Sequence, residues 1–555
     1  NMTVMDIQGA YLEADLEIPQ YMKPPLGVKP PKPGYVWKLI KGLYGLVSSG
    51  RGWHDLFKSD LKSWGFTPGM ADSCLFTKIN PKDGSLMRIL LFVDDMAIFT
   101  DSTSGGEELL EDLKKKVAAK YNCSPQADAN VFLGMAVEKI GENMYRLNQE
   151  RYINDILAKY KMEDVKPMSR PSSGDEISVL DCPDYAPGKN PLQKPFAELI
   201  GILRWVERCT RPDLTVTLSE LGKVQCNPAE KHMKMLKDLL RYVATTKHMG
   251  IVYGKPDVTD ASGPLVGYVD ASWGEPKCRG GYIFNAWRSP IAWSSYKLTA
   301  TALSSAESEY MSAAIATQEA LWLRYLASDL GYGDLKLQEF GKLCERDFIR
   351  STLTRRTHKG ECPITIFEDN KACIQISQNP VLHKRSRHIH LKYHFLRYHY
   401  QKGHIELAFI PTKENIADLM TKRLPKNTHY YLCNKLLHAC VEGKLTKFDG
   451  TVIPNVGPSP VRDELKFPDL SKYLRNDLRE ISDFQDERTM RMADPRRKLE
   501  SADKKWLSSP MSLEGERSKN KTKTTLARDQ VRARISDKIE NRIRHAVSRR
   551  LARAA

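Results

Sequence analysis

The chain has 555 residues, 41% of them hydrophobic and 9% aromatic, enough to bury sizeable cores in three or four domains. Its net charge of +17 favours a polyanionic partner; from Arg488 onward, 20 basic against 8 acidic residues supply +12 of it and leave the body mildly basic. The 11 cysteines form no Cys-x-x-Cys pair, which argues against a disulfide framework or zinc knuckle and for a reducing compartment, and no apolar run approaches the roughly 18–20 residues that cross a bilayer.

The first residues, Asn1 to Asp6, read as a strand with no signal or transit peptide, as in a piece of a longer polypeptide. Residues 1–165 alternate short apolar strands with amphipathic helices. Gly105–Tyr121 is one such helix, with Leu109, Leu110, Leu113 and Val117 at helical spacing. Within this region the apolar run 89–99 reads as a β-hairpin with Asp94 and Asp95 at its tip. Adjacent carboxylates between apolar flanks are costly to bury unless a cation neutralises them, so the tip reads as a metal site; plain turn chemistry is the other reading.

A Pro/Ser/Gly/Asp-rich linker covers 166–192, and 193–260 is a helical connection with helices at Ala197–Cys209 and Ala229–Thr245 around a break at Thr210-Arg211-Pro212-Asp213. From 261 to 425 the pattern gives strands Leu265–Val269, Gly281–Ala286 and Pro290–Ser294. A helix Ser304–Leu326, a strand Ile364–Phe367 and a helix Asn370–Ser377 follow, with a charged insert at 331–361. A meander followed by alternating helices and strands predicts an α/β sheet domain. Residues 426–487 read as a helical extension and 488–555 as a basic tail. In that tail Val531, Ile535, Ile539, Ile543 and Val547 allow a helix that binds nucleic acid or a partner, and a solvated or disordered extension is equally open.

Several segments together resemble the reverse transcriptase and RNase H region of copia-type long-terminal-repeat retrotransposon polyproteins. They are 5–12 (MDIQGAYL), 42–46 (GLYGL), 92–95 (FVDD), 132–134 (FLG) and 210–213 (TRPD), and the resemblance runs to about residue 425. It implies an α/β fold class: an α+β palm-type polymerase domain over 1–165 without complete fingers, then an RNase H-like α/β domain over 261–425. The implied function is RNA-directed DNA synthesis coupled to hydrolysis of RNA in RNA–DNA hybrids. The implied polymerase carboxylates are Asp6, Asp94 and Asp95, holding two magnesium ions, with manganese as a substitute. Tyr11 would crowd the sugar 2′ position, although a core aromatic is the other reading. Tyr44, Gly45 and Arg51 would pack under the template and incoming base, and Phe92 would stack beside them. The chain departs from the family at Val47-Ser48-Ser49-Gly50-Arg51, where Lys-Gln-Ala-Pro-Arg is usual, and at Phe92, where Tyr is usual.

In the second domain, Asp270, Glu307, Asp369 and Asp418 match the RNase H motif positions and would form a second two-magnesium cage. Glu309 and Glu368 are their neighbours, and the register favours Glu307 and Asp369. His383, His388, His390, His394, His399 and His404 gather among Lys384, Arg385, Arg387, Lys392 and Arg397. A substrate-backbone groove, with His388 and His390 in contact, is the stronger reading over a zinc site or a solvated helix face; His390 stands where the family commonly has Asp. The implied partners are an RNA template, a DNA primer, RNA–DNA hybrid, deoxynucleoside triphosphates and other polyprotein products, with no membrane. The implied location is intracellular, in a cytoplasmic particle or the nucleus. The competing reading is a decayed, non-catalytic fragment that binds RNA or hybrid.

Overall fold

The computed structural model describes residues 1–446 except 26, 29–31, 33, 124–129, 142–143, 173–176, 186–187, 255–264, 275–277, 332–362, 380–390 and 442–443. Contacts divide the chain into one unit, Asn1–Leu474, and another, Arg475–Ala555. The basic tail, the insert beyond Gly331, His383, His388 and His390 lie outside the described residues.

The first sheet contains β1 (Met2–Asp6). A hairpin of β2 (Asp15–Met22) and β3 (Trp37–Lys41) and helix α1 (Ser49–Ser63) intervene before β4 (Thr67–Pro68), β5 (Leu75–Ile79), β6 (Leu86–Phe92) and β7 (Asp95–Thr100). The order is β1-β7-β6-β5-β4, all antiparallel. Helix α1 carries Trp53, Phe57 and Leu61 at four-residue steps, and α2 (Ser104–Lys120) carries Leu109, Leu113 and Val117. Both stripes bury against Phe76, Ile89, Leu91, Met96 and Ile98, which gives one helix-covered face. Leu110 is only partly buried at the edge of that core.

A second sheet joins β8 (Val131–Phe132), β9 (Met135–Gly141) and β10 (Met144–Asn148) to the distant β11 (Ile251–Tyr253). Between β10 and β11 run α3 (Glu150–Tyr160), α4 (Gln193–Cys209), α5 (Thr215–Leu221) and α6 (Glu230–Thr245). The third sheet has β12 (Leu265–Ser272), β13 (Arg279–Ala286), β14 (Ser289–Lys297), β15 (Ile364–Glu368) and β16 (Ile405–Phe409), ordered β14-β13-β12-β15-β16. The first three pair antiparallel, whereas β12, β15 and β16 run parallel. Strand side chains alternate between faces, and the cores follow that period. Val266, Tyr268, Ile283 and Phe367 enter the core shared with α3–α6, while Val269, Tyr282, Phe284 and Ile366 enter the core under α7 (Ser305–Asp329). The sheet is therefore buried on both faces, as parallel strands require. No helix among the described residues is long and apolar enough to cross a membrane.

The break at 210–213 is a packing centre. The Arg211 side chain is fully buried and forks onto Asp213, with Nε 2.9 Å from Oδ1 and Nη2 2.7 Å from Oδ2. Its remaining donors reach the Thr246 carbonyl and hydroxyl at 2.9 and 2.7 Å, which ties α4 to the end of α6. The Tyr242 hydroxyl donates to Asp213 Oδ2 (2.6 Å) and lies 3.0 Å from His429 Nε2, and Cys433 Sγ lies 3.4 Å from that same nitrogen. Asp213, His429 and Cys433 bring ligand atoms within 4.8 Å of one another, but Arg211 already neutralises the acid and burial keeps the thiol protonated. The trio is a hydrogen-bonded core.

Arg211→Met strands Asp213 as an unpaired buried charge, and should cost about 3–5 kcal/mol in urea denaturation. Replacing both partners by apolar residues should cost less. Burial depresses His429 from 6.5 to about 4. Its neutral form therefore contributes stability that is present above about pH 6.5 and is lost as pH falls towards about 4. Denaturation midpoints across that range should fall less steeply in His429→Leu than in the parent.

Candidate functional site

Strands β6 and β7 meet in a two-residue turn, Val93-Asp94, with Phe92 directly opposite Asp95. Val93 has φ 56°, a left-handed conformation that its branched Cβ disfavours. Two contacts hold the strained turn: the Trp53 indole donates to the Val93 carbonyl (2.6 Å), and the Ile7 amide donates to the Asp94 carbonyl (3.0 Å). On the neighbouring strand Asp6 is the direct register partner of Asp95, so like charges face each other across the pair. Burial, then Asp94, then Asp6, pushes the Asp95 carboxyl up to about 6. Burial and then Asp6 also raise Asp94.

Gly9 (φ 70°) turns the chain after β1 and sets Tyr11 on a short 3-10 helix, where its ring lies 4.7 Å from that of Tyr44. Burial and then Asp94 raise both phenols, so the two rings flank the acidic tip. Gly45 takes φ 98° in a loop that the Ser49 hydroxyl ties at both ends of Leu43. Arg51 stands apart on the solvent side of α1, its guanidinium 3.4 Å from Asp55. The structure thus gathers Asp6, Asp94, Asp95, Tyr11 and Tyr44, with Phe92 alongside. The three carboxylates are not among the groups whose ligand atoms all lie within 4.8 Å.

The second cluster is tighter. Asp270, near the end of β12, faces Gly281 of β13. A Cβ at Gly281 would sit 2.4 Å from Met420 Cβ, so glycine there lets the helix Asp418–Thr421 lie on the sheet. That contact brings Asp418, Thr421 and Lys422 to Asp270. The Thr421 hydroxyl donates to Asp270 Oδ2, and the Lys422 ammonium donates to Asp270 Oδ1 (3.0 Å) and Asp418 Oδ1 (2.7 Å). Asn415 anchors the approach through a hydrogen bond to the Val269 carbonyl (2.9 Å). On the adjacent strand β15 ends at Glu368, Asp369 follows, and Asn370 caps the helix Lys371–Gln378. Two groups of ligand atoms converge within 4.8 Å: Asp270, Asp369 and Asp418, and then Glu309, Glu368 and Asp369.

The structure separates Glu307 from this cluster and puts Glu309 in it. Ser304 caps α7 by accepting from the Glu307 amide (3.2 Å), while Glu307 Oε2 accepts from the Leu303 amide (2.7 Å). Residues two apart on a helix point to nearly opposite sides, so a Glu307 bound to its own N-terminus leaves Glu309 to face the sheet. The segment Ser304-Ser305-Ala306-Glu307 has the capping-box pattern, which was the signal for this role. Glu309 is 4% exposed and Glu368 is fully buried, and one oxygen of each has no hydrogen-bond partner. Burial pushes both carboxyls far up, with Glu368 next in raising Glu309 and with Asp369 and Asp270 adding to the rise of Glu368; burial also raises Asp369 and Asp418, with Asp270 next for Asp418. A set of carboxylate oxygens with two buried, unpartnered members suits a hard divalent cation such as magnesium or manganese. Of the histidine group, His394 meets the Tyr310 hydroxyl (3.1 Å) and His399 meets His404 (2.8 Å).

Residues 1–173 match the family model described as reverse transcriptase (RNA-dependent DNA polymerase). The chain is 29% identical over 442 residues to the retrovirus-related Pol polyprotein from transposon TNT 1-94 of Nicotiana tabacum, covering 78% of this chain and 30% of that protein. It is 30% identical over 437 residues to the Pol polyprotein from transposon RE1 of Arabidopsis thaliana, covering 78% and 27%. It is 28% identical over 457 residues to the transposon Ty1-DR1 Gag-Pol polyprotein of Saccharomyces cerevisiae, covering 79% and 24%. The chain therefore spans between 24% and 30% of the length of these relatives.

Opposite effects should separate the two helix acids in melting experiments with a metal chelator present. Glu307→Ala removes a cap and should cost about 1 kcal/mol. Glu309→Gln removes a carboxyl buried against Glu368, and should leave the metal-free protein as stable as the parent or more so.

Proposed function

Because this chain belongs to the copia-type retrotransposon Pol polyproteins and carries a reverse transcriptase domain over residues 1–173, we propose that it is a two-site nucleic-acid enzyme. The first site extends a DNA primer on an RNA template from deoxynucleoside triphosphates, and the second hydrolyses the RNA strand of the hybrid. The observation that carries the nuclease reading is the meeting of Asp270 and Asp418 with Asp369, and of Asp369 with Glu309, at the ends of β12 and β15, from four separate stretches of chain. The setting proposed for this chemistry is intracellular, in a cytoplasmic particle or the nucleus.

In the polymerase site Asp6, Asp94 and Asp95 would hold the magnesium ions, and in the nuclease site Asp270, Glu309, Asp369 and Asp418 would do so. Bound there, the ions supply activation of the attacking hydroxyl or water and stabilisation of charge on the phosphoryl group and leaving oxygen. The chain's own residues orient and select. The strained Val93-Asp94 turn fixes the acids against Asp6, and the Tyr11 ring beside the tip limits room for a 2′-hydroxyl. Tyr44 and Gly45 lie where an incoming base would stack, and Phe92 backs the hairpin. Arg51, paired with Asp55 on the outer side of α1, would act only from the periphery. His388 and His390 are proposed as contacts to the hybrid backbone. Selectivity for the hybrid would come from backbone shape and 2′-hydroxyl contacts, since A-like duplexes hide their base edges.

A second reading, hybrid binding without synthesis, draws on Val47, which stands fully exposed where the family's lysine is usual, and on the looser spacing of the first three acids. Two assays separate these readings. Cleavage of a labelled hybrid should require magnesium and fall at least about a hundredfold in Asp270→Asn and Asp369→Asn. Primer extension should be lost in Asp94→Asn alone, with hybrid cleavage intact. A parent that binds hybrid but neither cleaves nor extends would establish the binding reading.

A further inference from the structure

Lys422 follows directly on the helix Asp418–Thr421 and points back over it. Its ammonium lies 2.7 Å from one oxygen of Asp418 and 3.0 Å from one of Asp270. The two acids are nearly sealed from water, with side chains 7% and 1% exposed, whereas Lys422 is 35% exposed. One positive charge thus sits between two buried carboxylates that also converge on Asp369. Without it, two carboxylates would face each other in a poorly solvated place, where like charges repel strongly. Among the described residues no other lysine or arginine forms an ion pair with Asp270, Asp369 or Asp418.

An ammonium in this position does part of the electrostatic work of a divalent ion, but it cannot share the place with one. Lysine has the reach to leave: its charge rides on a flexible four-carbon stem. The cavity of about 140 Å³ beside Lys422 is lined also by Arg170, Arg423 and His429, so the route open to the ammonium is solvent, to which Lys422 is already 35% exposed.

We infer that Lys422 is a resident counter-cation: it holds Asp270 and Asp418 together in the metal-free protein, competes with divalent metal for them, and swings out to solvent when metal enters. It is a positioning residue, and its role rests on the reading of this cluster as a metal site. The metal-free fold is thereby kept from flying apart at its most acidic point. The same contact sets the metal concentration at which the site fills.

The test is calorimetric titration of manganese into the full chain, for the parent, Lys422→Met, Lys422→Gln, Lys422→Arg and Asp270→Asn. Met and Gln remove the competitor, so the affinity at this cluster should rise about tenfold or more. Arginine keeps the charge and should stay near the parent, and Asp270→Asn should lose the binding. In chelator the Met and Gln variants should melt below the parent, and manganese should restore them to it or above. Unchanged or weaker binding in Met and Gln, with the parent binding and Asp270→Asn not, overturns this inference and leaves the metal-site reading standing. A parent that binds no manganese at the cluster overturns both.

Discussion

Negative charge withdrawn from water at the end of β12 and β15 is the constraint around which the third sheet is organised. Asp270, Glu309, Glu368 and Asp418 are each at most 6% exposed, a density of carboxylate that protein interiors reject unless positive charge or protons accompany it. The molecule answers locally in three ways. Lys422 bridges Asp270 and Asp418, the Asn370 amide supports Glu368, and burial holds Glu309 and Glu368 in their protonated range. Apart from Lys422, what brings these groups together is uncharged packing: a glycine that admits a helix, an asparagine that ties a loop, and a sheet buried on both faces.

The two acidic clusters are built on different principles. At the 93–94 turn the carboxylates are close in sequence or direct register partners, and the geometry is fixed by backbone pairing plus one strained valine held by Trp53. Those acids are only half-buried. The later cluster draws on residues from 270 to 418, and its geometry depends on α7, β15 and the 415–422 segment all docking on one sheet. A cluster assembled across such distances exists only when the whole domain is folded, whereas a hairpin tip is largely specified by its own strands.

The helical connection joins these parts through one fully buried ion pair. Arg211 and Asp213 satisfy each other and recruit Thr246, Tyr242 and His429, so that α4, α6 and the helix Lys426–Cys433 share a polar centre inside an apolar core. At the far end of α7, Asp329 accepts from the Ala71 amide (2.6 Å) and Arg88 donates to the Leu330 carbonyl (2.8 Å), which fastens the first sheet's edge to the third sheet's long helix. Few groups carry these joints, and at Arg88 the buried Nε is left without a hydrogen-bond partner.

Periodicity and punctuation determined much from the sequence alone. Four-residue steps marked α2, α4 and α6, apolar runs marked β6, β7 and β12–β15, and the Asp-Asp pair marked the hairpin, because these features depend on neighbours within a few residues. Boundaries moved by a few positions: β12 continues to Ser272 and takes Asp270 inside the strand. Burial was not legible. Of Glu307 and Glu309, two glutamates in one helix start, only the first carries a local mark, the capping-box spacing from Ser304, and which of them the sheet receives is decided by packing. Nor could the order of residues reveal that Lys422 would neutralise Asp270, or that Arg211 would be buried entire. Those outcomes turn on which surfaces meet, and a side chain's charge acquires its consequences only when tertiary packing decides how much water remains around it.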